Sequence, residues 1–584
     1  MLDDCLIKLN KSLDELSNMR CLLRGTVARD FNKIYDELMY EIRSYGRGSL
    51  FLWHRLLSYV DVAVEGEQCR YYVVKRITNL LKYSMSIEEK AYVYISMLDF
   101  LPPVPDIVRE YVDRSTHAVL GLEDPLVKVD YLSRLIGWLY ARGFYGMGDG
   151  IFNIAVSIIR GLPRDLAIDA YLSIGRALVS KDMADADSVF LMCYDLAKKL
   201  TSIGKRAVAI TKVASIYGSV LRDKYAMDLS DRWLSEGIGL CREYAVDRTK
   251  FLAETLPYIF HYDENMGMKY LDMLLSDMWR RGVNVVLMEK LLASLPRIHG
   301  DAEIIDRIDR WIERMYKKGK IGDTMFARLE SAVVYSFLLL DPYKAYSLLQ
   351  HVPEIVAQLG AHSVEDSIAI LKNISLVAIP FTYTITISLV EELLGIGNLL
   401  DATRVLGETQ HYFPRKIDEV YRYILHPFIK RASTKKLLSS LEYIARLRTS
   451  SIDQLFRNIV RKAEDLKEPR SIRVLLSVTK ALLYRNRPWA IQLAYYIEEK
   501  STTLPQHIRA ETLAALGSIM FSIDREYGRR LFLETLRIAE DAEPEEASRI
   551  VSKILRYMHE LQHDPQINQL VLYAVELSQT SIKG

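Results

Sequence analysis

Apolar residues recur along this chain at helical spacing. Between Arg206 and Leu221 the apolar positions Ile210, Val213, Ala214, Tyr217 and Leu221 fall at offsets 0, 3, 4, 7 and 11, one face of a helix. Phe190, Cys193, Ala197 and Leu200 align in the same way on the preceding segment. Gly and Pro interrupt the pattern every 15 to 25 residues or so, for example at Gly161–Pro163, Gly204, Gly282, Gly300, Gly319, Pro342 and Pro488. In Asp341-Pro342 and Arg487-Pro488 the proline reads as the first turn of a new helix. Short connections between such helices make neighbours antiparallel. Sustained alternation with period two occurs only over Tyr383–Leu389, and a strand with no partner is better read as helix. The pattern predicts an all-α protein.

The helices also repeat. Gly175, Ala186 and Phe190 share one spacing with Gly218, Leu229 and Trp233 and with Gly517, Gly528 and Phe532: a glycine, a small or apolar residue 11 positions on, and an aromatic 4 further. Leu256-Pro257-Tyr258-Ile259 returns 39 residues later as Leu295-Pro296-Arg297-Ile298. Asp231-Arg232-Trp233 returns as Asp309-Arg310-Trp311, and Ile472-Arg473 as Ile508-Arg509. A period of 36–43 residues with two helices per unit predicts an α-solenoid of stacked antiparallel helix pairs, a right-handed superhelix or curved stack. The unit resembles a degenerate tetratricopeptide-like (TPR-like) repeat, in which a small residue and an aromatic four positions later lie on the second helix; Ala186 with Phe190 and Gly528 with Phe532 fit. The first-helix glycine sits one residue off that pattern, the usual early tryptophan is absent, and the repeats are longer than is usual in that superfamily. The resemblance implies a protein-binding scaffold, and no specific peptide-clamp residue is carried over.

Composition narrows the class. At 584 residues, 50% of them apolar and 26% charged, the chain is ordered and too long for one compact core. Asn and Gln are sparse beside the charged residues, a thermophile's balance. The five cysteines, Cys5, Cys21, Cys69, Cys193 and Cys241, form no CxxC and read as reduced, mostly buried cytoplasmic thiols with no metal role. Asp3 and Asp4 stand where a signal peptide would be basic. The uncharged stretch 373–390 contains Pro380 and several hydroxyl residues, and is expected to form a buried core helix and not a membrane span.

Charge is uneven although the net value is only +2. From Lys430 to Arg487 there are 15 bases against 5 acids, whereas residues 321–410 hold 10 acids and 4 bases. The bases are Lys430, Arg431, Lys435, Lys436, Arg446, Arg448, Arg457, Arg461, Lys462, Lys467, Arg470, Arg473, Lys480, Arg485 and Arg487. Phe456, Tyr484 and Trp489 interleave with them. An acidic protein, the 321–410 segment of this chain itself or a nucleic-acid backbone would suit this block, as would plain solvent. These steps divide the chain into an N-terminal helical cap (1–45), a helical region (46–160), TPR-like repeats (161–320), an acidic and apolar helical region (321–429) and basic C-terminal repeats (430–584).

Catalytic vocabulary is thin. His559-Glu560-Leu561-Gln562-His563 matches HExxH, in which two histidines one helical turn apart share a zinc and the glutamate acts as base. Asp564-Pro565 follows at once, with no third-ligand motif, so a solvated helix end is expected there. Gly146-Met147-Gly148-Asp149-Gly150 resembles a phosphate loop but follows a helix, and is expected to be a flexible turn. The expectation is a cytoplasmic, non-enzymatic scaffold without cofactor or metal that binds a protein. A nucleic-acid-binding solenoid is the first alternative, and a zinc hydrolase the remote one.

Overall fold

The structure, a computed structural model, describes residues 25–63, 67–244, 246–349, 363–559, 561 and 564–583. Cys5, Cys21 and residues 1–24 of the expected N-terminal cap lie outside them. Among the described residues all regular elements are helical and no strand occurs. Tyr383–Leu389 is part of a helix, Ile379–Gly395.

Local chemistry sets where the helices begin. Asp182, Asp223, Asp247, Asp263, Asn284 and Asp301 each sit just before a helix and accept a backbone N–H from its first turn. Each such cap stabilises its helix by about 1 kcal/mol. Pro125 and Pro488 occupy first-turn positions, where no N–H is needed.

The helices pair as antiparallel hairpins: Pro125–Ala141 with Tyr145–Arg160, Arg164–Leu178 with Met183–Lys198, Ile203–Leu221 with Lys224–Glu243, and Arg248–Tyr262 with Glu264–Arg281. Val285–Ile298 with Ala302–Lys317 and Asp323–Leu340 with Pro342–Leu349 continue the series. The first helix of each pair packs on the first helix of the next, whereas the second helices have no comparable mutual packing. The stack therefore curves with its first helices inside, an α-solenoid. The repeated tripeptides mark equivalent positions. Pro257 and Pro296 lie inside first helices, and Trp233 and Trp311 are buried on second helices.

Aromatic rings pressed against glycines hold the helices close. A Cβ on Gly175 would lie 2.7 Å from the Phe190 ring, and one on Gly267 would lie 2.4 Å from Phe260. In the second copy of the signature the small residue facing Gly218 is the fully buried Ser230, one position beyond the expected Leu229, which is half-buried.

Two other expectations change. Gly146–Gly150 is not a turn: it lies in the first turns of helix Tyr145–Arg160, and the bend falls at Arg142–Phe144. Gly148 is there because a side chain would strike the Tyr140 ring at 2.4 Å. The stretch 373–390 is shared between two helices, Val364–Ser375 and Ile379–Gly395, with the second starting where Pro380 can occupy the first turn. Thr382 and Thr386 are nonetheless fully buried.

The chain folds as two compact units, residues 1–385 with 411–415, and 386–410 with 416–584. In the first unit an early segment clasps a late one. Leu50 N–H donates to Leu376 O at 2.8 Å, and Ile379 N–H to Ser49 Oγ at 3.1 Å. Phe51 stacks on Tyr346 with centroids 4.5 Å apart, and Arg47 lies 5.4 Å from the Tyr412 ring. Beneath this contact Glu89 accepts from Gly48 N–H at 3.1 Å, Trp53 Nε1 at 2.5 Å and Ser84 Oγ at 2.8 Å. Full burial raises the Glu89 pKa against the pull of Arg47 and these donors. In the second unit Arg470–Leu482 pairs with Arg487–Ser501 and Gln506–Phe521 with Arg525–Glu540, while Thr434–Arg446 and Ser451–Glu464 each pack on Arg470–Leu482.

Candidate functional site

On the first helices of the first unit, charged side chains form a ladder from one pair to the next. Lys212 Nζ donates to both Asp169 carboxylate oxygens, at 2.9 and 3.0 Å, and lies 5.2 Å from the Tyr258 ring. Arg328 spans three helices, bonding Glu289 at 2.6 and 2.9 Å and Asp366 at 2.8 Å. Arg297 donates to Tyr335 Oη at 3.0 Å, and its charge also acts on Tyr131, four pairs earlier. Burial, with Arg176 and Arg222 nearby, lowers the His261 pKa to about 4. Tyrosines tie the helices further: Tyr140 donates to Asp149 within one pair, and Tyr217 and Tyr262 donate to Asp187 and Asp231 on the second helix of the preceding pair, at 2.7–2.8 Å.

The bases between Lys430 and Arg487 behave differently. Three of the candidate residues are committed to the fold. Arg485 pairs with Asp453 and donates to Leu447 O at 2.9 Å and Thr449 O at 2.6 Å. Arg446 donates to Glu442 at 2.7 Å and lies 4.4 Å from the Tyr484 ring. Partial burial works against the Arg446 charge, but the Tyr484 hydroxyl and the Glu442 carboxylate outweigh it and raise the pKa. Lys436 Nζ donates to Gly397 O at 2.8 Å. Of the two bases outside the candidate set, Lys480 is 3.8 Å from Glu442 and Lys467 is exposed.

Ten candidates are exposed and have no carboxylate partner among the described residues: Lys430, Arg431, Lys435, Arg448, Arg457, Arg461, Lys462, Arg470, Arg473 and Arg487. They do not share one helix. Lys435 stands on helix Thr434–Arg446, Arg470 and Arg473 on Arg470–Leu482, Arg457, Arg461 and Lys462 on Ser451–Glu464, and Arg448 in the connection between Thr434–Arg446 and Ser451–Glu464. Phe456, read as a possible stacking residue, is fully buried, whereas Tyr484 is 50% exposed with Arg446 over its ring.

Two residues missed in the sequence organise this region. Gln410 accepts from Arg448 N–H and donates to Arg446 O, both at 2.8 Å, pinning the turn that carries Arg448. Asn486 Oδ1 accepts from Trp489 N–H at 3.1 Å and caps the next helix. No local motif marks Gln410. The ladder residues could have been found by scanning for opposite charges one repeat apart, since Asp169 and Lys212 are separated by 43 positions.

Of the HExxH residues, His559 is exposed at the end of helix Pro544–His559 and Leu561 lies in a turn, while Glu560 and His563 lie outside the described residues. Among the described residues no group of three or more His, Cys, Asp or Glu could hold a metal, and no helix is long and apolar enough to cross a membrane. Cys193 and Cys241 are free and buried, and burial pushes the Cys193 thiol up to about 12.

No protein-family model matches the chain, and no curated protein matches it. A solved structure described as "Circular tandem repeat protein with novel repeat topology and enhanced subunit contact surfaces" aligns with 91% of this chain and 97% of its own, at 13% identity and a TM-score of 0.12. The chain is an all-α helical-repeat protein.

Proposed function

We propose that this chain is a non-enzymatic, TPR-like scaffold of the cytoplasm that binds a protein partner, and that the bases from Lys430 to Arg487 steer an acidic partner toward it. One observation carries the reading: Lys430, Arg431, Lys435, Arg448, Arg457, Arg461, Lys462, Arg470, Arg473 and Arg487 are exposed and have no carboxylate partner among the described residues. Unpaired surface charge of one sign accelerates encounter with a partner of the opposite sign and selects against others. The buried, reduced Cys193 and Cys241 support the cytoplasmic location.

The test is affinity capture from native lysate, with half of the sample treated with nuclease. Defined proteins retained at near-stoichiometric yield after digestion support the scaffold. Loss of all bound protein on digestion overturns it. A second reading, nucleic-acid binding, draws on exposed aromatics beside the bases: Tyr423 is 74% and Phe428 41% exposed next to Lys430 and Arg431. It requires affinity that falls steeply with salt and survives protease treatment of the bound fraction.

A further inference from the structure

Within the second unit, the turn after helix Thr434–Arg446 and the turn before helix Arg487–Ser501 enclose a cleft of about 480 Å³. Its lining includes Arg446, Arg448, Tyr484, Arg485 and Asn486, with Asp453 as the acid. We propose that this cleft seats a carboxylate side chain of an acidic partner segment, with Arg448 as the binding fork. The inference rests on the protein-partner reading above and names the chemistry of one contact within it.

Three features carry it. The first is rigidity. Both backbone groups flanking Leu447 are held by the Gln410 amide, and Arg485 holds the carbonyls of Leu447 and Thr449. The Arg448 backbone is therefore placed before any ligand arrives, which reduces the ordering a ligand must impose. The second is donor polarity. Arg448 is exposed and has no partner, and its guanidinium can only donate. The Asn486 Oδ1 is occupied by the Trp489 N–H, so the amide is oriented with its NH2 group left to donate. A group bound between these donors must be an acceptor. The third is charge. Asp453 is neutralised by Arg485 and Glu442 by Arg446 and Lys480, so the Arg448 charge stands uncompensated. A planar carboxylate matches the guanidinium fork.

A single carboxylate suits the cleft better than a nucleic-acid backbone. The Tyr484 ring is already engaged by Arg446, which restricts base stacking. Exposed Glu464, Asp465 and Glu468 also interrupt the neighbouring bases, breaking the continuous positive track that a phosphodiester chain follows.

The test uses the full chain and fluorescence anisotropy at low salt. Its probes are a short Glu-rich peptide, the same peptide with every Glu replaced by Gln, and a single-stranded oligouridylate of similar length. The Glu peptide is expected to bind and the Gln peptide to fail. Arg448→Ala should weaken the Glu peptide about tenfold, the loss of one hydrogen bond to a charged group. Asn486→Asp keeps the helix cap but replaces a donor with a negative acceptor, and should weaken binding at least as much. Lys318→Ala, an exposed base of the first unit, should leave binding unchanged. Unchanged affinity in Arg448→Ala, equal binding of the Gln peptide, or stronger binding of the oligouridylate would each overturn the proposal. If Arg448→Ala and Asn486→Asp still capture the wild-type partner at full yield, the cleft proposal fails while the scaffold reading stands. If the wild type captures no protein, it is the scaffold reading that fails.

Discussion

The first helices of the first unit and the segment from Lys430 to Arg487 are both rich in charge, but they use it in opposite ways. In the first, Lys212 and Arg328 reach acids one repeat away, so each charge is answered by the neighbouring pair. In the second, Arg446 and Arg485 are answered while Arg457, Arg461 and Lys462 are not. Charge answered across a repeat boundary fixes the spacing and angle of the stack. Charge left unanswered contributes little to folding, because exposed ions are well solvated already. The same residue types therefore build a frame in one place and present a surface in another.

Mutations can break this comparison. The largest effect should come from the packing beneath both regions. Phe190→Ala removes a fully buried ring seated against Gly175, and should lower unfolding free energy by about 4 kcal/mol, read from the urea midpoint. Next comes Arg328→Ala, which strands two half-buried carboxylates, Glu289 and Asp366. It should lower stability by about 2–3 kcal/mol, and Arg328→Lys should recover only part of that because it cannot bridge both acids.

The third effect depends on pH. Glu41 accepts from Ser49 N–H and Oγ, both at 2.7 Å, yet burial raises its pKa from 4.5 to about 7. The folded state therefore holds this proton more tightly than the unfolded one. On this account stability is greatest below pH 4.5, falls as the pH rises to about 7 and is flat above. Glu41→Gln should remove that slope in denaturation series across this range. The smallest effect sharpens the contrast. Arg461→Ala should change stability by less than about 0.5 kcal/mol. A destabilisation matching that of Arg328→Ala would erase the distinction between frame and surface.

Legibility followed the range of the interactions. The helix pairs, the Gly175–Phe190 contact and the Leu-Pro echo were readable because each depends on residues within one repeat or at a fixed period. Gly146–Gly150 misled because glycine signals a turn by default, while Gly148 serves the Tyr140 ring. Leu229 fits the spacing rule, but the residue that meets Gly218 is its neighbour Ser230, a distinction that spacing alone does not make. The committed bases could not be separated from the free ones, since Arg485 finds Asp453 at 32 positions and Gln410 reaches Arg446 at 36. The meeting of Ser49 with Ile379, 330 positions apart, leaves no mark in any local window.

That last contact alters how the first unit answers force. An open stack of helix pairs stretches like a spring, each joint giving a little and recovering. In this unit the bonds of Ser49 and Leu50 to the 376–379 segment, with Phe51 stacked on Tyr346, join early pairs to late ones. Tension applied between residues 60 and 370 loads this fastening before it loads the joints. The first response to pulling is then a sharp yield followed by compliance: a latch that fails once, in parallel with a spring.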